Sequence, residues 1–65
     1  MAFSSETDLI DNGFATQFQQ IFKIFFDAYA AAQGNAAAQQ AAVDRFQLGV
    51  RTARAVREAA KSNLP

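Results

Sequence analysis

The chain has 65 residues, six acidic and six basic side chains for a formal net charge of zero, and neither cysteine nor histidine. One small domain is the most it can form, and disulfides, thiolate or imidazole metal sites and histidine general-base chemistry are all excluded. With 51% hydrophobic residues and seven phenylalanines, the stability that so short a chain lacks is expected to come from association with further copies.

The opening Met-Ala-Phe-Ser-Ser-Glu-Thr-Asp lacks the basic-then-apolar order of an export signal, so a cytoplasmic location is the default expectation. Ser4 or Ser5 ahead of Glu6, Thr7 and Asp8 has the form of a hydroxyl cap with acids in the first turn, which predicts a short helix over about residues 5–11. Asp11-Asn12-Gly13 then predicts a kink or a fresh cap, because Asn-Gly favours positive φ and glycine costs about 1 kcal/mol against alanine inside a helix. The same segment is no calcium loop. Ile10 falls on the third ligand position and Gln19 where the bidentate glutamate belongs, so Glu6, Asp8 and Asp11 are read as helix-start charges.

A long helix is expected over about residues 14–32. Phe14, Phe18, Ile21, Phe25, Ala28 and Ala32 step by four and three, the spacing of a helix-packing seam. Phe22, Phe26 and Tyr29 widen this stripe on one side and Ile24 on the other, opposite Thr16, Gln19, Gln20, Lys23 and Asp27. At about 100° per residue the apolar arc covers about 200°, roughly twice what one contact seam needs. Lys23 and Asp27 interrupt the apolar run well short of the roughly 20 residues that span a bilayer.

Gln33-Gly34-Asn35 is read as the reversal, with Gly34 in a left-handed cap and Asn35 capping the next helix. Residues 36–61 contain no proline, one glycine and mostly strong helix formers, which predicts a second helix. Its seam is expected at Ala42, Phe46, Gly49, Ala53, Val56 and Ala60. An antiparallel register then sets Phe25 against Gly49, Ala28 against Phe46, Ile21 against Ala53, Phe18 against Val56 and Phe14 against Ala60, large facing small in nearly every layer. Gly49 either permits a close approach or is merely tolerated.

The charges are sorted along the chain. Glu6, Asp8, Asp11 and Asp27 against Lys23 leave the first half at minus three, and Arg45, Arg51, Arg54, Arg57 and Lys61 against Asp44 and Glu58 leave the second at plus three. Two antiparallel helices with opposed charges suit this pattern: Asp8 and Asp11 are expected near Arg57 and Lys61, and Glu58 is spaced to pair with Arg54.

Catalytic chemistry is not expected. Ser4, Ser5 and Ser62 lie near the termini with no base beside them, and Tyr29, the one phenol, sits at the edge of the aromatic stripe as a core-rim or interface residue. No cofactor or metal is implied. The fold class expected is all-α: an antiparallel helical hairpin with a short N-terminal helix, assembled into a four-helix bundle or a larger helical oligomer. Function is expected to be structural, a non-enzymatic assembly protein that homo-oligomerises through Phe18, Phe22, Phe25, Phe26 and Tyr29. The alternative is a small nucleic-acid-binding helical dimer that uses Arg51, Arg54, Arg57 and Lys61. A weaker alternative is an amphipathic protein of the membrane surface.

Overall fold

The structure, a computed structural model, describes residues 5–65. It is an all-α helical hairpin of α1 (Glu6–Ala31) and α2 (Ala36–Ser62), packed antiparallel. Ser5 caps α1. Its hydroxyl oxygen accepts from the Asp8 amide at 3.1 Å, and the Asp8 carboxylate accepts from the Ser5 amide at 3.4 Å, a reciprocal capping box. Ser4, the other cap expected, lies outside the described residues.

The expected short helix and kink are not there, because α1 runs unbroken through Asn12 and Gly13. The Asn12 carbonyl oxygen also accepts the Thr16 hydroxyl at 3.2 Å. A glycine costs about 1 kcal/mol at such a position, whereas a break would strand a turn of backbone groups and require a second helix nucleus. The unbroken α1 also carries Asp11 to Lys61 of α2, where Oδ1 lies 2.8 Å from Nζ. Because a Cβ at Gly13 would meet nothing within 4 Å, Gly13→Ala is expected to stabilise the hairpin by about 1 kcal/mol. Thermal denaturation checks this, with a rise of roughly 4–8 °C; a fall would show that Gly13 does mark a bend.

The reversal follows its local chemistry. Gly34 has φ +81°, the left-handed region where a side chain is disfavoured, and the Asn35 side chain accepts from the Ala38 amide at 3.0 Å.

The inward edge of α1 is the half-buried set Phe14, Phe18, Ile21, Phe25, Ala28 and Ala32, joined by Ile10. This is the seam that the spacing of four and three defines. On α2 the seam differs from expectation. Val56 is exposed, while Val50 is buried and Arg57 half-buried, its guanidinium 4.3 Å above the Phe14 ring. A straight α-helix drifts about 20° per heptad against a strict seven-residue repeat, and over the length of α2 that drift carries Val56 off the contact line and Arg57 onto it.

Register differs too, by about one turn. Gly49 lies against Ile21, whose Cγ2 would be 3.3 Å from an added Cβ, and Phe25 meets Phe46 with ring centroids 4.7 Å apart. The short connection holds the helix ends close and brings Phe46 between Phe25 and Phe18, the latter 6.3 Å away edge-on. Both separations fall in the range aromatic pairs prefer. Large faces small at Ile21 and Gly49, where the glycine permits a close approach, but not at Phe25 and Phe46.

Two helices make a single layer. The Cα extents are 49 × 25 × 8 Å, and the radius of gyration is 15.3 Å against about 11 Å for a compact domain of this length. Among the described residues only Ala42 and Val50 are buried, at 5% and 8% exposure, and no side chain of α1 is. One line of contact cannot enclose a core.

Candidate functional site

Because the hairpin is one layer thick, each helix shows its neighbour's flanks on two opposite faces. Helical phase at about 100° per residue sorts the side chains between them. One face carries Phe18, Phe22, Phe26 and Tyr29 from α1 beside Val43, Val50, Arg54 and Lys61 from α2. The other is an open groove of about 710 Å³ whose walls include Ile10, Gly13, Gln17 and Ile21 on α1 and Leu48, Gly49, Thr52 and Val56 on α2.

The five residues expected to form an oligomer interface divide into two sets. Phe18 and Phe25 are half-buried and turned to Phe46, so much of their surface is already spent inside the hairpin. Phe22, Phe26 and Tyr29 stay outside, the first two 50% and 60% exposed. The Phe22 and Phe26 rings lie 6.4 Å apart, and Tyr29 is 5.5 Å from the half-buried Phe25, so two aromatic pairs line one flank of α1 as a ridge. Helical spacing alone aligns these residues. The contact with α2 is what leaves three of them uncovered.

The basic residues are likewise divided. Arg57 is held over Phe14 and its Nε donates to the Glu58 carboxylate at 3.2 Å, in place of the expected pair between Glu58 and Arg54. Lys61 is engaged with Asp11, as the charge sorting predicts, whereas Asp8 turns back to cap α1. Arg51 and Arg54 are exposed. The four cations therefore do not present one free stripe.

The groove was not anticipated as a feature. Its signals were Ile24, which widens the arc of α1 on the side away from Phe22, and the drift that brings Val56 outward. Ile24, Leu48 and Val56 are all exposed on or beside it. No helix among the described residues is long and apolar enough to cross a membrane. Comparison with protein-family models, with curated proteins and with solved structures finds no match.

Proposed function

We propose that this chain is a non-enzymatic assembly protein, a helical hairpin that associates with copies of itself through the aromatic ridge of α1. The observation that carries the reading is the ridge itself: Phe22, Phe26 and Tyr29 remain exposed in a chain that buries only two side chains among those described. Contiguous apolar surface of this kind on a small soluble chain marks an interaction site. Total accessible surface agrees in size, since the chain exposes 5091 Å² where a monomer of its mass is expected to expose about 4,100 Å².

Sedimentation over a concentration series tests the proposal. A species heavier than the 7.1 kDa chain is expected at micromolar concentration, and a stable, folded monomer throughout would end it. The polyanion-binding alternative has less support, because two of its four residues, Arg57 and Lys61, are taken up in contacts within the hairpin.

A further inference from the structure

We infer that two copies close on each other's aromatic ridges about a two-fold axis parallel to the helices, so that α1 of each copy lies on α2 of the other. This rests on the self-association proposed above and adds its geometry. Two other arrangements compete: a two-fold axis perpendicular to the helices, which sets α1 on α1 and α2 on α2, and a head-to-tail stack of ridge on groove.

Bulk favours the parallel axis. On the ridge face α1 raises Phe22, Phe26 and Tyr29, while α2 at the same levels offers Val43, Gln47 and the buried Val50. Setting α1 on α1 would press ridge on ridge and hold the thinner α2 helices apart, leaving a void between them. Setting α1 on α2 puts large against small on both sides of the axis, which is what dense packing requires.

Charge favours it independently. The acids that lie on the ridge side, Asp8 and Asp11, and the cations Arg54 and Lys61 all sit toward the open end of the hairpin, away from Gly34, and Asp11 and Lys61 are already 2.8 Å apart. A parallel axis brings the two open ends together, and acid and base then alternate around it. A perpendicular axis sets each open end over the partner's turn, beside Ala36, Ala37 and Gln40, and the charges find no complement. It also stacks a helix of charge minus three on its copy and one of plus three on its own, which is repulsive.

Joining the two ridge-bearing faces, each ridge on the partner's α2, also fits better than groove on groove, because two facing concavities of about 710 Å³ enclose space rather than fill it.

The test uses the turn. Gln33 is exposed and the chain has no cysteine, so Gln33→Cys carries the only thiol and takes one spin label. A parallel axis puts both turns at one end, about one helix layer apart, and dipolar spectroscopy is expected to give a distance below about 25 Å in a species of 14.2 kDa, twice 7.1 kDa. A dimer with labels about 40 Å or more apart, close to the 49 Å length of the hairpin, has the perpendicular axis and overturns the inference while leaving self-association intact. Mass that climbs without limit as concentration rises indicates head-to-tail stacking, and overturns it likewise. A 7.1 kDa species with no coupling between labels removes both the inference and the proposal beneath it.

Discussion

Replacing Phe22 and Phe26 together by alanine (F22A/F26A) is expected to dissociate the assembly while keeping the hairpin helical. Both rings are already about half covered in the single chain, so association can bury only the remainder. Fully burying a phenylalanine is worth about 1.5–3 kcal/mol, and half of that over two rings from each of two copies gives about 3–6 kcal/mol. Each 1.4 kcal/mol is tenfold in Kd, so the expected weakening is about a hundredfold to ten-thousandfold. Alanine is the better helix former, so lost helicity is not the reason for dissociation. Sedimentation equilibrium checks the mass and circular dichroism the helix content. As a control, Lys23→Ala on the opposite face of α1 should leave the mass distribution unchanged. If the double variant assembles as tightly as the parent, the ridge is not the interface.

Phe46→Ala is expected to act on the other side of the balance, on folding itself. Phe46 is the ring that joins the two helices, 4.7 Å from Phe25 and 6.3 Å from Phe18. A phenylalanine truncated in a closed core costs about 3–5 kcal/mol, and the half-burial of Phe46 brings the expectation to about 2–3 kcal/mol. Chains of this size seldom hold more than about 3–5 kcal/mol in total, so most of the stability is at stake. A thermal melt at fixed protein concentration should fall by roughly 10–20 °C. A shift of only a degree or two would mean that the aromatic cluster does not hold the hairpin closed. The two substitutions separate the effects: F22A/F26A changes mass with helicity kept, and F46A changes helicity first.

The separation has a physical origin in the width of the α1 arc. An apolar stripe of about 200° is roughly twice what one contact seam needs, and α2 occupies its middle. What remains on one flank is aromatic, and on the other it is the aliphatic groove of Ile24, Leu48 and Val56. In the proposed dimer, closure on the ridge alone would leave that groove free on both outer surfaces.

Local chemistry was legible residue by residue. Ser5 with Asp8, Gly34 with its positive φ, and Asn35 each perform the capping or turning their side chains dictate, since such effects depend on neighbours within a few residues. The α1 seam was legible for a similar reason: the half-buried residues from Phe14 to Ala32 straddle the contact line, so a drift of about 20° per heptad leaves them on it. Asn12-Gly13 makes no break, because a local preference of about 1 kcal/mol yields to the continuity of a long helix and its contacts with α2.

Pairing between the helices was decided by tertiary structure. The register fell about one turn from the expected one, with Gly49 beside Ile21 and Phe46 beside Phe25, and the drift of α2 against its heptads carried Arg57 into the seam and Val56 out of it. Nothing in one helix's periodicity sets where it slides against another; that depends on the length of the turn, the fit of specific rings and the drift of a straight helix against its own heptads. The sequence by itself therefore determined two helices, their caps and the excess of aromatic surface, all properties of single segments. Only the folded hairpin decided which of those aromatics were consumed inside and which were left as a ridge, because that choice belongs to the contact between segments.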